Sequence, residues 1–171
     1  MDIYDLTVPQ LAHTLTNLDR WLSKAGEHAA AKGMAEDSLL GAKLAPDQYG
    51  LVRQVQVATD NAKLIPGRLA AKEWPGHPDT ETSLAQLHAR ISSVKDYLGT
   101  FQPADFAGAH DRQIVLPWMA KGQHLTAPDY VVQFALPNFY FHVVTAYSIM
   151  RHLGVSLGKM DYIGPIAIKQ A

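Results

Sequence analysis

His142 is the side chain in this sequence whose type and position could do chemistry. It lies in the stretch Leu136-Pro-Asn-Phe-Tyr-Phe-His142, on which Leu136, Phe139, Val143, Ala146, Met150 and Leu153 recur every three then four residues. That spacing is the apolar seam of a helix packed in a bundle. At about 100° per residue, His142 falls roughly 40° from the centre of the seam, so a titratable ring points at the core. Two roles fit an imidazole there. It is a metal ligand or general base in a bundle-core pocket, or it is a core histidine satisfied by hydrogen bonds to Asp19, Gln54 or a tyrosine. The candidate pocket is therefore His142, Gln54, Asp19 and Tyr147, with no catalytic assignment and no metal ligand set.

Other chemistries are excluded by spacing. The remaining seven histidines show no H-x-x-x-H or H-E-x-x-H pattern, so no helix offers two zinc ligands on one face. None of Glu27, Glu36, Glu73 or Glu81 is followed by histidine at the third position, which removes the di-iron carboxylate bundles. With no cysteine, disulfides and thiolate sites are impossible. Gly154-Val-Ser-Leu-Gly158-Lys159-Met160 has one residue too few between its glycines for a phosphate loop, and Met160 stands where a hydroxyl should hold magnesium. No serine sits in a nucleophile elbow. The run Phe139-Tyr140-Phe141 reads as core and interface packing. No cofactor is expected.

Amphipathic helices must position these residues. Thr7-Val-Pro-Gln10 reads as a capped start for a first helix whose stripe (Val8, Leu11, Leu15, Leu18, Leu22, Ala25, Ala29) runs to Gly33. Asp19 lies near that stripe, while His13 and His28 fall on the opposite, solvated side. Glu36 to Leu40 is one short turn lidding the bundle. Pro46-Asp47 opens a second long helix with Val52, Val55, Thr59, Ala62 and Leu69 inside and Gln54 at the stripe's edge. Pro66-Gly67 should kink or break it near its end. A Pro/Gly loop spans residues 72 to 80, and Ser83-x-x-Gln86 caps a third helix striped by Leu84, Leu87, Ile91, Val94 and Leu98. Gln113-Ile-Val-Leu116 and the Lys121-Gly122 turn suggest a short hairpin. Thr126 starts the last long helix, bent at Pro137 and ended by Gly154 with Val155 making the accompanying apolar contact. The tail after Gly154 is expected to be extended and packed on the bundle. The whole is an all-α four-helix bundle with a short irregular or hairpin insertion before the last helix, one domain over 1–171.

Apolar residues at 47% and charged residues at 18% are the profile of a soluble globule, and a formal net charge of −1 without a basic tract argues against nucleic acid or an anionic membrane as partner. No apolar run reaches the roughly 18 residues of a membrane span, and Met-Asp-Ile-Tyr-Asp lacks a signal-peptide charge pattern. A cytoplasmic location is the default expectation.

At Gln54-Val-Gln-Val-Ala-Thr-Asp60, at Leu136-Pro-Asn-Phe-Tyr-Phe-His142 and at Gly154-Val-Ser-Leu-Gly-Lys-Met-Asp161 the chain resembles a bacterial family of unknown function in the DinB/YfiT-like metalloenzyme superfamily. Ala45-Pro-Asp47, Arg68-Leu69 and Asp161-Tyr-Ile-Gly164 extend the likeness over nearly the whole chain. The resemblance implies an up-down-down-up four-helix bundle, often dimeric. In metal-binding members one histidine on the second helix and an H-x-x-x-H pair on the last hold a divalent ion. Here His142 matches the first of that pair, Ala146 stands at the second, and Gln54 occupies the second-helix position. Two readings of function follow. One is a metal-free inter-helix pocket around His142 for a small molecule. The other is a dimeric interaction or structural protein with no catalytic site. A degenerate metal-dependent enzyme of the DinB/YfiT type is a further alternative.

Overall fold

The computed structural model describes residues 2–170. Four long helices form the bundle: α1 (Ile3–Lys32), α3 (Leu51–Ala70), α4 (Leu84–Leu98) and α6 (Leu136–His152), with a six-residue α2 (Glu36–Gly41) between the first two. Around the bundle the order is α1, α4, α3, α6, so α3 packs on both α4 and α6 and no long stretch of α4 meets α6. The expected stripes are the ones buried. Leu11, Leu15, Leu18 and Leu22 of α1, Val55 and Ala62 of α3, Leu87, Ile91 and Val94 of α4, and Phe139, Val143 and Ala146 of α6 share one apolar cluster. Leu39 and Leu40 of α2 close one side of it. Among the described residues no helix is long and apolar enough to cross a membrane.

Helix starts differ from expectation where two capping signals compete. α1 begins at Ile3, ahead of the start expected at Thr7, because Asp2 and Asp5 exchange side-chain and backbone hydrogen bonds in a capping box. Thr7 is interior instead, its hydroxyl donating to the Ile3 carbonyl at 2.6 Å. α3 starts at Leu51 behind Gly50, not at Pro46-Asp47, and stays helical through Pro66 to Ala70. Ser83 caps α4 as expected, accepting from the Gln86 amide.

The segment between α4 and α6 carries two 3-10 turns and a two-residue antiparallel ladder, β1 (Gln113–Ile114) with β2 (Leu125–Thr126), which is the short hairpin. Thr126 then caps α5 (Ala127–Asp129), and a π-helical turn over Tyr130–Ala135 leads into α6. Pro137 explains that turn's place. It has no amide to give the carbonyl four residues back, and the wider π register is where the hydrogen-bond ladder absorbs the loss.

Gly154 ends α6 in the left-handed region at φ +92°. The Val155 amide donates to the Met150 carbonyl and the Gly154 amide to Arg151, both at 3.0 Å, and Val155 and Met150 are fully buried. This is a Schellman cap with its apolar contact. The tail is not extended throughout: α7 (Lys159–Ile163) forms and packs on α1. Trp21 Nε1 donates to the Asp161 carbonyl at 3.0 Å and His13 Nε2 to the Ile163 carbonyl at 2.7 Å. His28 likewise donates to the Leu153 carbonyl at 3.1 Å. Two histidines expected in solvent thus bond the C-terminal ends of α6 and α7.

Candidate functional site

Gln54 on α3 and His142 on α6 meet where those two helices pack. His142 is 7% exposed and Gln54 is fully buried at 0%. His142 Nδ1 lies 2.7 Å from Gln54 Oε1, and Gln54 Nε2 donates to the Tyr49 carbonyl at 3.1 Å. The carbonyl can only accept, so the amide nitrogen must face it and Oε1 must face the imidazole. An amide oxygen also only accepts, hence Nδ1 carries the ring proton and donates. The chain Tyr49–Gln54–His142 fixes one tautomer, with the Nε2 lone pair directed away from Gln54. Nε2 has no partner among the described residues. It is also absent from the fully buried unpartnered atoms, which are Gln48 Oε1, the Tyr97 hydroxyl and Arg112 Nε, so it reaches the residual surface. Burial, and next the positive charge of Arg53, hold the His142 imidazole below its ordinary value and keep it neutral.

The other two candidate residues go elsewhere. Asp19 faces α4, where His88 Nδ1 donates to its Oδ1 at 2.6 Å. Tyr147, five positions after His142, is turned about 140° around the helix. It packs edge-on to Trp21 and Tyr162, ring centroids 5.4 and 5.6 Å away.

The largest polar cluster is one that the sequence pattern did not single out. Arg90 of α4 is 3% exposed. Its guanidinium donates to Thr59 Oγ1 at 2.7 Å, Asp60 Oδ1 at 2.7 Å, Glu81 Oε1 at 3.0 Å and the Gln56 carbonyl at 3.3 Å, with Asp79 at 3.1 Å. Gln56 Nε2 donates to Glu81 at 2.8 Å, and Arg53 pairs with Asp79. Burial pushes the Asp79 and Glu81 carboxyls up, but the bonds from Arg53 to Asp79 and from Arg90 and Gln56 to Glu81 outweigh it and hold both below the usual range. One signal was legible. Arg90 stands three residues after Leu87 and four before Val94, at seam spacing, where an arginine needs acceptors.

A histidine in this cluster resembles a nucleophile relay and is not one. His77 Nε2 lies 3.0 Å from Ser93 Oγ and Nδ1 lies 3.0 Å from Lys63 Nζ, which itself pairs with Asp60 at 2.8 Å. An ammonium only donates, so Nδ1 accepts and Nε2 holds the proton it gives to Ser93. His77 therefore cannot take the serine's proton, the opposite of what a base–serine pair requires.

The residues present do not fit the divalent ion that the resemblance implies. Its three positions are Gln54, His142 and Ala146, that is, one neutral amide, one imidazole and a methyl group. Gln54 and His142 consume each other's inward atoms in a direct hydrogen bond. Among the described residues no group of three His, Cys, Asp or Glu side chains is arranged to hold a metal ion. Two weak or committed donors fall short of the three ligands such sites use.

Residues 3–163 match the family model described as "Domain of unknown function (DUF1993)". No protein of curated function matches the chain. Among solved structures, the crystal structure of a DinB family member protein from Shewanella denitrificans at 1.83 Å resolution is similar at 45% identity and a TM-score of 0.95. The match covers 99% of this chain and 96% of that one. The chain belongs to the DUF1993 family, an all-α, DinB-like domain of unknown function.

Proposed function

We propose that this chain is a metal-independent member of the DinB-like bundles that binds a small molecule at the open edge of His142. The observation that carries the reading is the fixed tautomer: a neutral imidazole, oriented through Gln54 and the Tyr49 carbonyl, with Nε2 toward the surface. Such a nitrogen accepts a hydrogen bond from a hydroxyl, amide or amine of a ligand, and it is a base without any metal. The exposed ring of Phe141 lies edge-on to the imidazole and supplies apolar surface for the rest of the ligand.

Long-range ¹H–¹⁵N correlation of the imidazole tests the first half. Nε2 should show the shift of an unprotonated nitrogen at pH 7, and the ring should titrate below 6.5, its ordinary value. A panel of small alcohols, phenols and amides, read by thermal shift, tests the second half. Stabilising compounds should lose their effect in His142→Ala. A protonated Nε2, or stabilisation that survives the substitution, would overturn the proposal.

The exposure of Phe141 and Val144 on the same helix favours a second reading, in which this face joins two copies of the chain. A homodimer of the 18.8 kDa chain sediments at about 38 kDa at micromolar concentration. A monomer throughout that range would dismiss it.

A further inference from the structure

A cavity lies away from His142, at the C-terminal end of α3 against β1, with a volume of about 510 Å³. Gly67, Arg68, Ala71, Lys72, Trp74 and Ile114 are among its lining residues. That volume falls in the range of small-molecule sites.

Arg68 is the unusual wall. Its Nη1 donates to the Tyr130 hydroxyl at 3.2 Å, and its guanidinium carbon lies 5.8 Å from the Trp74 ring centroid and 6.0 Å from that of Tyr130. Arg53 and Arg90 are both paired with carboxylates, whereas Arg68 has no ion-pair partner among the described residues. Lys72, the other cation of the cavity, is neutralised by Asp105 at 2.7 Å. Glu73 also lines the space, exposed and unpaired with Arg68. A guanidinium held between two rings presents its remaining donors as a planar fork, the geometry that matches a carboxylate or phosphate. At the helix end the Lys72 and Ala71 amides take the Gly67 and Arg68 oxygens, which leaves the Arg68 and Lys72 charges to offset the negative end of the helix.

The backbone beneath Trp74 leaves room for its ring. A Cβ on Gly67 would sit 2.7 Å from Trp74 Cε3 and 3.0 Å from the Tyr97 hydroxyl, so only glycine lets the indole lie there. The Tyr97 hydroxyl is buried without a partner. Ala71, which lines the cavity, is the one non-glycine residue with positive φ among the described residues, at +52°. The left-handed Ala71 is the C-terminal cap of α3, and it turns the chain so that Lys72, Glu73 and Trp74 form one wall of the cavity.

We propose that this cavity binds a small molecule carrying a carboxylate or phosphate on a flat ring, the anion on Arg68 and the ring against Trp74. Benzoate and phenyl phosphate are the anionic probes, with benzyl alcohol as their neutral counterpart, added to the full chain and followed by calorimetry and amide chemical-shift mapping. One of the two anions should bind with a dissociation constant on the order of 1 mM, as befits a fragment. The tighter of the two identifies the anion. Benzyl alcohol should bind at least about tenfold more weakly, since it cannot use the charge-assisted bonds. Shifts should fall at Gly67 to Trp74 and Gln113 to Val115. Arg68→Gln should weaken the anion about tenfold or more. Should that variant fail to fold, Trp74→Leu, at an exposed position, should weaken anion and alcohol alike by several-fold through lost stacking. Saturable binding by neither anion, equal binding of benzyl alcohol, shifts confined to other residues, a folded Arg68→Gln that binds the anion unchanged, or Trp74→Leu without effect would each overturn the proposal.

Discussion

The buried polar contacts that helix α3 makes through Gln54 and with Arg90 lie on opposite sides, and they are built differently. Toward α6, Gln54 and His142 are both neutral, and one hydrogen bond between them plus one to the Tyr49 carbonyl settles their inward atoms. Toward α4, Arg90 arrives charged and is surrounded by Thr59, Asp60, Glu81, Asp79 and the Gln56 carbonyl. The difference is one of desolvation. A neutral amide or imidazole loses little on burial once paired, whereas a guanidinium loses several kcal/mol of hydration and needs several acceptors to offset it. A second difference follows. The acceptors around Arg90 include Asp79 and Glu81 from the loop before α4, so the charged contact fastens a loop to the bundle. The neutral contact only orients a ring.

Breaking the charged side should therefore have the largest effect. Arg90→Met keeps an unbranched apolar stem of similar reach and leaves Glu81 without its cation, while Asp60 keeps Lys63 and Asp79 keeps Arg53. Unfolding by urea should show a loss of about 3–5 kcal/mol. Adding Glu81→Gln to Arg90→Met should return part of it, because the leftover charge, not the lost bond, is the main cost. A loss under about 1 kcal/mol would mean the cluster is a solvated surface network and the contrast with Gln54–His142 is false.

The neutral side predicts a smaller number with a definite coupling. His142→Ala removes a ring from an almost closed position and orphans Gln54 Oε1, at a cost of about 2 kcal/mol. Gln54→Ala should cost a similar amount. The double mutant should be more stable than the sum by about 1 kcal/mol, since the second substitution removes a partner already unpaired. Independent costs would show that water bridges the two groups and that the site is wetter than its burial indicates.

How legible these contacts were depends on which variable the sequence encodes. Periodicity reports an angle around a helix. It therefore placed Val55, Leu87, Phe139 and the rest of the seam correctly, and it put Gln54 and His142 at inward edges. It does not report which neighbour a given edge faces. Asp19 is on α1, which lies between α4 and α6 in the bundle order, and only tertiary packing turns it to His88 instead of His142. Tyr147 went the same way, into the Trp21–Tyr162 cluster. The hairpin and the Gly154 cap were readable because their signals are local, a turn and a glycine with a buried Val155. The start of α1 is ambiguous in the sequence because Asp2 and Thr7 both offer a cap, and the earlier one wins by adding a turn of helix. The angles of His13 and His28 point them to solvent, yet their partners are carbonyls at the ends of α7 and α6, beyond any window of sequence periodicity.

The smallest expected effect separates the two regions by pH. Burial, then Arg53, depresses the His142 pKa from 6.5, and burial with Lys63 and Arg90 depresses that of His77. As pH falls below that ordinary value, the unfolded chain takes up these protons before the folded one does. Stability contributed by the neutral rings is complete above 6.5 and declines as pH falls toward the folded values. Asp79 and Glu81 are held below their ordinary 3.8 and 4.5, so their contribution is intact through the imidazole window and is lost only as pH falls below those values. Urea midpoints measured from pH 7 to pH 3 should thus decline in two stages. His142→Ala should shallow the first stage, leaving only the share of His77, and should leave the acid stage unchanged. Asp79→Asn should do the reverse. If His142→Ala alters the acid stage, the two faces of α3 are not independent, and Arg53, which pairs with Asp79 while its charge acts on His142, is the residue that joins them.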